Sequence, residues 1–358
     1  MSKSNYRITY TPINTITEEF LIWSLVVSPD GQVIACLGDS PYGGLSTIYA
    51  IPTVWYRKRN SKITTYELAG FESESVVSEL PSLAFWPDQN HLLVIGRDRQ
   101  PEEIDYKYEK VLRSWEIGSS NYSFPFLNTL ASLDIGIDCF SINESKNLIA
   151  IHSDKDLFFL DTPTNKLEKI GNRYNSLSCS RFRPTMLFSP DDKLFAFSPD
   201  GHMIIIDLDN NEIIDVFAKA KEIKFPNIAM ERYAAGIYDE QWLLAFSPDG
   251  LHLVTRDNSG RLFIWNTSPF DIHKNIVAPF DTLKFTSAQY SPDSEVLVTG
   301  TNNGSVIFWD TTSYSLIGQQ HNIHDGDVHT IKFSSDGNEM FTASGNKIVI
   351  WKKNFFWV

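Results

Sequence analysis

The sequence predicts an all-β protein, a seven-bladed β-propeller whose blades are four-stranded antiparallel sheets. Three observations support this class of fold. A turn-forming tetrapeptide recurs along the whole chain of 358 residues, and a short strand rich in β-branched and aromatic residues follows it. No long segment has the 3.6-residue apolar period of an amphipathic helix. A repeated unit of this kind, each copy forming one small sheet, is typical of propellers.

The recurring tetrapeptide is Ser-Pro-Asp-Gly or a relative of it. Its proline fixes φ, its aspartate bonds to nearby backbone and its glycine tolerates positive φ, so each copy predicts a hairpin turn. The seven copies are Ser28–Gly31, Trp86–Gln89, the degenerate Ser141–Glu144, Ser189–Asp192, Ser247–Gly250, Ser291–Ser294 and Ser334–Gly337. Their third residues lie 58, 55, 48, 58, 44 and 43 positions apart, and the last two steps match the roughly 40 to 45 residues of a blade. An additional copy, Ser198–Gly201, is predicted to be the next turn within blade four.

A second recurring element follows each turn and ends in Trp-Asp, Trp-Asn or a relative. The clear copies are Gly260–Asn266, Gly304–Asp310 and Asn346–Lys352, the weaker ones are Val111–Glu116, Leu157–Asp161 and Met203–Asp207, and Lys62–Glu67 aligns with them in blade one. The composition of these segments predicts one further strand in each blade.

At these residues the chain resembles the WD40-repeat family, in a form rich in Ser-Pro-Asp-Gly turns like those of many prokaryotic propellers. The segment His324–Phe333 is similar to the Gly-His junction that precedes a blade in this family. The resemblance implies seven blades and structural roles for Trp265, Trp309, Trp351 and His324. The family often links an Asp, a His, a Ser or Thr and the Trp of one blade by hydrogen bonds. Asn303 stands where blade six should have the Asp, so this set is expected to be incomplete here.

A single domain spanning residues 1–358 is predicted. Its blades are expected at approximately 20–78, 79–132, 133–178, 179–240, 241–282, 283–325, and 326–358 plus 6–12. Blade seven has little room for its outer strand after Trp351. Arg7–Tyr10 alternates like a strand and is predicted to supply that strand, because an open propeller would leave unpaired edges. The alternative is that Asn354–Val358 closes blade seven.

Composition narrows the function classes. The net charge of −13 disfavours general binding to nucleic acid, whose phosphates an acidic surface repels. No apolar stretch reaches the roughly 18 to 20 residues of a membrane span, and no secretion signal is visible at the start. The three cysteines are widely separated, which favours reduced thiols over disulfides or a zinc site. We therefore expect a cytoplasmic protein.

Candidate partner-binding residues lie in three long predicted connections, which are expected on one face of the propeller. These connections are residues 39–61 in blade one, 98–109 in blade two and 218–240 after blade four. Their Tyr, Trp and Arg residues are types that interfaces favour. The candidates are Tyr42, Tyr49, Trp55, Tyr56, Arg57, Lys58, Arg59, Arg99, Tyr106, Tyr108, Phe225, Met230, Arg232 and Tyr233. The alternative is that these segments only pack on their own blades.

The resemblance and the lack of catalytic motifs predict a non-enzymatic interaction module. We expect a monomeric propeller that binds one or more proteins within a larger complex, as a regulatory or targeting subunit, without a cofactor. His321, His324 and His329 cluster in sequence, but no Cys or paired carboxylate joins them, so no metal site is predicted. Two alternatives remain open. One is an enzyme or small-ligand sensor that uses the central channel, and the other is local RNA contact through Trp55–Arg59.

Overall fold

The computed structural model describes residues 6–39, 48–58, 60–64, 72–73, 83–85, 91–99, 108–116, 127–132, 137, 139–153, 156–170, 185–198, 203–210, 212–215, 241–276 and 283–357. Every regular element in this part of the chain is a β-strand, which confirms the all-β prediction. The described ranges contain no helix long and apolar enough to cross a membrane.

The strands, in chain order, are β1 (Tyr6–Thr17), β2 (Ile22–Val27), β3 (Val33–Asp39), β4 (Ile48–Tyr56), β5 (Ser61–Thr64), β6 (Glu72–Ser73), β7 (Leu83–Phe85), β8 (His91–Arg99), β9 (Tyr108–Glu116), β10 (Leu127–Ser132), β11 (Cys139–Asn143), β12 (Leu148–Ser153), β13 (Asp156–Asp161), β14 (Lys166–Lys169), β15 (Thr185–Phe188), β16 (Leu194–Ser198), β17 (Ile204–Asp207), β18 (Glu212–Asp215), β19 (Gln241–Phe246), β20 (His252–Asp257), β21 (Leu262–Thr267), β22 (Phe270–Ile276), β23 (Phe285–Tyr290), β24 (Val296–Thr301), β25 (Val306–Asp310), β26 (Leu316–Gln320), β27 (Thr330–Phe333), β28 (Glu339–Ser344) and β29 (Lys347–Trp357).

Six of the antiparallel sheets in the described residues have four strands each. Five of them are simple meanders of consecutive strands, namely β7–β10, β11–β14, β15–β18, β19–β22 and β23–β26. The sixth has the order β1-β29-β28-β27, so its outer strand comes from the N-terminal part of the chain. These are the small antiparallel blades of a β-propeller.

The prediction of seven four-stranded blades is wrong, because the described residues form six four-stranded sheets, and the sheet of β2–β6 has five strands. Its central strand β4 has nine residues, whereas β5 has only four, so β5 pairs with the C-terminal half of β4 alone. The first residues of β4 pair instead with β6, through Ile48↔Ser73 and Tyr49↔Glu72. The predicted alignment of Lys62–Glu67 is also wrong, since β4 takes the place next to β3 and Lys62 lies in the following strand β5.

The chain divides into two compact units. One contains residues 1–22, 29–32 and 216–358, with the sheets of β19–β22, β23–β26 and β27–β29 plus β1. The other contains residues 23–28 and 33–215, with the sheets of β3–β6, β7–β10, β11–β14 and β15–β18.

Apolar clusters fill the spaces between consecutive sheets within each unit. In the first unit, Ile264 of β21 packs with Tyr290 of β23, and Phe308 of β25 packs with Trp351 of β29. The second unit has three similar clusters. One joins β3 and β4 to β7. Another joins β8 and β9 to β11 and β12, and a third joins β12 and β13 to β16 and β17. Burial of such surface contributes about 25 cal/mol per Å² and is the main force that holds the sheets together.

The predicted turn chemistry appears in detail at Ser247–Gly250. The Ser247 hydroxyl accepts the N–H of His252 at 2.9 Å, and the Asp249 carboxylate accepts the N–H of Leu251 at 3.0 Å. Gly250 adopts a φ of 73°, a value that an L-residue rarely takes. The same serine and aspartate bonds recur at Ser189, Ser291 and Ser334, so the tetrapeptide forms one turn repeatedly by local hydrogen bonding.

The N-terminal strand is held firmly. β1 and β29 pair through eleven residue pairs, from Tyr6↔Trp357 to Thr17↔Lys347, with an irregularity between Pro12 and Asn14. Tyr10 is fully buried, and its hydroxyl donates to the carbonyl of Gly337 at 2.8 Å. The last residues of the chain do not turn back to form a strand of their own, because Asn354–Trp357 continues β29.

Candidate interaction surface

A buried tryptophan–threonine pair supports each of the last three sheets. The indole Nε1 of Trp265, Trp309 and Trp351 donates to the hydroxyl of Thr255, Thr299 and Thr342, respectively, at 2.9 Å in every case. All six side chains are buried. A buried indole N–H needs such a partner, and the bond fixes the third strand of the sheet against the second.

The partners beyond threonine differ from sheet to sheet. Thr342 also bonds to Nε2 of the buried His324 at 2.8 Å, and Thr255 donates to the side-chain oxygen of Gln241 at 2.5 Å. Asn303 does not extend this network, since its side-chain oxygen accepts the Thr301 hydroxyl at 2.7 Å and the Ser305 N–H at 3.3 Å inside its own turn. The hydrogen-bond network of Asp, His, Ser or Thr and Trp is therefore incomplete, as the sequence predicts, and each of these sheets has different hydrogen bonds in its place.

The histidines of this region make stability depend on pH. Burial, the nearby His329 and the Lys347 ammonium lower the pKa of His324 to about 4, and burial lowers the pKa of His329 to about 4. An unfolded histidine titrates near pH 6.5. Between these values the unfolded state binds more protons, so the free energy of unfolding falls as pH is lowered from about 6.5 to about 4.

We expect urea unfolding at pH 7.0, 6.0, 5.0 and 4.5 to show this fall. The lowered pKa values of Asp293, Asp325 and Asp336 make stability fall mainly near and below pH 3.8, which lies outside this window. His329→Asn should reduce the slope of stability against pH. A slope that is zero over this window, or equal in the variant, would contradict the assignment.

The predicted aromatic-basic segment of blade one is not one loop. Trp55 and Tyr56 lie in β4, where they pair with Ile34 and Val33 of β3. Arg57 and Lys58 follow in the turn to β5, which the N–H of Asn60 closes by bonding to the carbonyl of Arg57 at 3.1 Å. The expected excursion from 39 to 61 is wrong, because its second half forms the β4–β5 hairpin.

The same register moves these residues to a different end of the sheet. Val33 opens β3 directly after the Ser28–Gly31 turn, and it pairs with Tyr56. Arg57 and Lys58 therefore lie at the end of the sheet that carries the Ser-Pro-Asp-Gly turn. Tyr49 lies at the opposite end of β4, about 23 Å from Tyr56 at 3.3 Å per residue. The expectation that all candidates share one face is therefore wrong for Tyr49 on the one hand and Arg57 and Lys58 on the other, because they lie at opposite ends of the sheet.

Trp55 has an intramolecular partner. The Lys62 ammonium lies 5.1 Å from the centre of the Trp55 ring, and Lys62 is the residue that pairs with Trp55 across β4 and β5. A cross-strand cation–π contact of this kind contributes about 0.5 to 1 kcal/mol at an exposed site. The contact covers one face of the ring, so a nucleic-acid base could not stack on that face.

Arg99 and Tyr108 are brought together. They pair across β8 and β9, at the end of the hairpin from which residues 100–107 continue. The other candidates fall outside the described residues, and these are Tyr42, Arg59, Tyr106, Phe225, Met230, Arg232 and Tyr233.

An aromatic cluster that the sequence does not reveal joins the sheets of β19–β22 and β23–β26. The ring centroids of His252 and His273 are 5.0 Å apart, and that of Tyr314 is 6.0 and 5.7 Å from them. The Tyr314 hydroxyl bonds to the Tyr290 hydroxyl at 2.9 Å. Burial and His273 lower the pKa of His252, while Asp249 raises it. Only three-dimensional packing joins these residues.

The described part of the chain contains no group of three or more His, Cys, Asp and Glu residues placed to hold a metal ion. Of the three histidines singled out from the sequence, His324 uses Nε2 for Thr342, and His321 bonds to Ser305 and Gln319.

The two segments that contain the Thr299–Trp309 and Thr342–Trp351 pairs match a family model. The model described as "WD domain, G-beta repeat" matches residues 279–310 and 317–352. These two segments are WD40 repeats. Comparison of the chain with curated proteins gives no match. The matched segments cover strands β23–β25 and β26–β29, the sheets whose repeats are clearest in the sequence.

Proposed function

We propose that this protein is a non-enzymatic scaffold that binds protein partners through projecting strands and connections. WD40 propellers are generally protein-interaction scaffolds, and the small antiparallel blades support this general role. We further propose that residues 1–358 form a single domain. In this proposal the protein is a cytoplasmic monomer that acts as a regulatory or targeting subunit of a larger complex.

The observation that carries the proposal is a hairpin that projects from its sheet. β8 and β9 pair over nine residues each, from His91↔Glu116 to Arg99↔Tyr108. Among the described residues, β7 pairs with β8 as far as Val94, and β10 pairs with β9 as far as Val111. Within that part of the chain, the pairs Arg97↔Lys110, Asp98↔Glu109 and Arg99↔Tyr108 therefore extend beyond both neighbouring strands.

A projecting hairpin suits recognition better than it suits stability. A two-stranded ribbon is only marginally stable alone in water, so it adds little to the core. Its sequence contains charged residues of both signs and Tyr108. Arg and Tyr are the residue types that interface hot spots favour.

The proposal predicts that shortening this hairpin removes a partner without unfolding the protein. Residues 97–110 would be replaced by Asn-Gly, which forms the tight turn that a two-residue hairpin needs. We expect the melting temperature to change by no more than about 3 °C. Proteins retained stoichiometrically by the intact chain from a native lysate should be lost, as quantified by mass spectrometry.

The matched control is Lys166→Ala with Glu168→Ala, which removes two exposed charges from β14 and leaves the hairpin intact. Retention of the same partners by the shortened chain would contradict the proposal. Repeating the capture at rising salt separates protein partners from RNA, because binding to phosphates falls steeply with salt concentration. Co-purified RNA that is lost at moderate salt would favour contact through Arg57 and Lys58 instead.

A further inference from the structure

The sheet of β19–β22 carries two histidines at places where the next sheet carries apolar residues. Equivalent positions of β19–β22 and β23–β26 are 44 residues apart, as the Ser-Pro-Asp turns and the Thr–Trp pairs of the two sheets show. His252 therefore corresponds to Val296, and His273 corresponds to Ile317. Val296 is buried in an apolar cluster, and Ile317 packs against the same cluster. Because an apolar pair serves packing at these places, packing alone does not explain two imidazoles.

A β-bulge brings His273 close to His252. β21 and β22 pair as Ile264↔Lys274 and Trp265↔Ile272, so His273 is the extra residue of the bulge. A bulge of this kind changes the direction of its side chain. His252 lies in β20, two strands from β22, and strands so placed are about 10 Å apart. The two ring centroids are nevertheless only 5.0 Å apart, so the side chains converge over β21.

This spacing fits two imidazoles that bind one metal ion. A metal–nitrogen bond is about 2.1 Å and the ring centre lies about 1.1 Å behind the nitrogen, so each centroid is about 3.2 Å from the ion. A tetrahedral angle at the ion then separates the two centroids by about 5.2 Å. The observed separation is 5.0 Å, with the ring planes inclined at 59°. One ion could therefore contact both rings with little movement of either.

Both imidazoles are available to an ion from solvent. Within the described residues, neither makes a side-chain hydrogen bond. His273 is exposed, and His252 is half-buried. Burial and His273 lower the pKa of His252, while Asp249 raises it. The lowered pKa leaves His252 neutral at pH 7, and the neutral imidazole is the form that binds metal ions.

The charges near the two histidines favour a cation. Of the charged residues within three positions of either histidine, two are carboxylates, Asp249 and Asp271, and one is an ammonium, Lys274. The Lys274 ammonium bonds to the carbonyl of Ser313 at 2.6 Å. The described residues contain no group of three possible ligands, so the carboxylates would act through their charge and not as a third ligand.

We propose that His252 and His273 bind one divalent transition-metal ion of the zinc or copper class, each through one ring nitrogen, with water in the remaining positions. Imidazole is a ligand that suits these ions, and two imidazoles on a folded sheet need little ordering to bind one. The ion would link β20 to β22 at the surface of the sheet. Its water positions would stay open to a donor group from another molecule.

The proposal goes beyond the scaffold function argued from β8 and β9, because it concerns a different sheet and assigns a ligand of a different class. The competing explanation is that the two rings only pack against Tyr314, whose ring centroid lies 6.0 Å from that of His252 and 5.7 Å from that of His273. The experiment below distinguishes the two explanations.

The test titrates the untagged full chain, freed of metal with a chelator, with Zn²⁺ at pH 7 in a calorimeter. We expect one Zn²⁺ ion per chain. His252→Asn and His273→Asn should each weaken binding about tenfold or more, because each removes one of two protein ligands. With Cu²⁺ in place of Zn²⁺, electron paramagnetic resonance should show coupling to two imidazole nitrogens in the parent and to one in either variant.

The double variant His252→Val with His273→Ile reproduces the apolar pair of the next sheet. It should fold like the parent in the absence of metal and lose the stoichiometric site, and Zn²⁺ should raise the melting temperature of the parent alone. His321→Asn is the control, because this exposed histidine bonds to Ser305 and Gln319 and should not affect the affinity. The two asparagine variants decide the question if the double variant does not fold. Lack of a stoichiometric Zn²⁺ site, unchanged affinity in the histidine variants of this pair, or an equal loss in His321→Asn would overturn the proposal in favour of packing alone.

Discussion

Gly304→Ala is expected to destabilise the protein by about 3 to 5 kcal/mol, or to prevent folding altogether. Two independent effects add at this position. Gly304 adopts a φ of +78°, and a Cβ atom built there would lie 1.8 Å from the carbonyl oxygen of His324. Because the atom that this Cβ would meet belongs to the backbone, no side-chain rotation can relieve the clash. The segment from His324 would have to move away from the β24–β25 turn.

That movement would break a defined set of hydrogen bonds. The N–H of His324 donates to the carbonyl of Gly304 at 3.2 Å, and the N–H of Val328 donates to the carbonyl of Thr301 at 3.1 Å. The carbonyl of Val328 also accepts the Thr286 hydroxyl at 2.8 Å. These bonds tie the sheet of β23–β26 to the segment that leads into β27, and their loss explains the large expected effect.

Three other glycines separate the two contributions. At Gly345 φ is +55° and no atom lies within 4 Å of the added Cβ, so Gly345→Ala measures the cost of positive φ, about 1 kcal/mol. At Gly300 the Cβ would meet Val328 Cβ at 2.6 Å without a positive φ, so Gly300→Ala measures a clash alone. Gly318 has neither problem, and its alanine variant should change stability by less than about 0.5 kcal/mol. Urea unfolding that places Gly304→Ala no lower than Gly345→Ala would contradict the contact with His324.

The parts of the fold that sequence could predict are those set by local chemistry. The Ser-Pro-Asp-Gly turns were predictable because Ser247 and Asp249 bond to backbone only a few residues away. The strand that ends in Trp309 was predictable because its composition and its distance from the turn repeat. Such signals are contained in a short window of sequence, so one chain without relatives is sufficient to read them.

The errors arose where strand pairing over long separations decides the structure. Trp55 looked like a loop residue because the pattern between turn and tryptophan is stretched in blade one, yet Ile34 and Lys62 hold it in a sheet. The predicted outer strand Arg7–Tyr10 is confirmed, but the continuation of β29 through Asn354–Trp357 depends on Tyr6–Thr9, some 350 residues away in sequence. No local preference distinguishes a strand that continues from one that turns back, and the register of the partner strand makes the choice.

The candidate site shows the same division. Arg99 and Tyr108 pair across β8 and β9, and their part in partner binding stays a prediction. Their grouping with Trp55 and Arg57 was wrong, since side-chain identity does not state to which end of a strand a residue belongs.

Thr342→Val is expected to cost about 2 to 4 kcal/mol, although valine has nearly the same shape as threonine. The Thr342 hydroxyl serves two buried groups, the indole N–H of Trp351 at 2.9 Å and Nε2 of His324 at 2.8 Å. The variant leaves both without a partner in the interior, and each unsatisfied buried group costs about 1 to 3 kcal/mol. Water cannot readily replace the hydroxyl, because Trp351 and Thr342 are fully buried.

Thr299→Val is the matched control for this substitution. Thr299 is equally buried and bonds to Trp309 at 2.9 Å, but within the described residues its hydroxyl makes one other hydrogen bond, a long one of 3.5 Å to the carbonyl of Ile307. Removing its hydroxyl should therefore cost about half as much as removing that of Thr342. Trp351→Phe in the Thr342→Val background should recover part of the lost stability, because it removes the indole N–H, one of the two buried groups left without a hydrogen-bond partner. Unfolding free energies that are equal for the two threonine variants, or a double variant no more stable than Thr342→Val, would show that His324 and Trp351 do not depend on this hydroxyl.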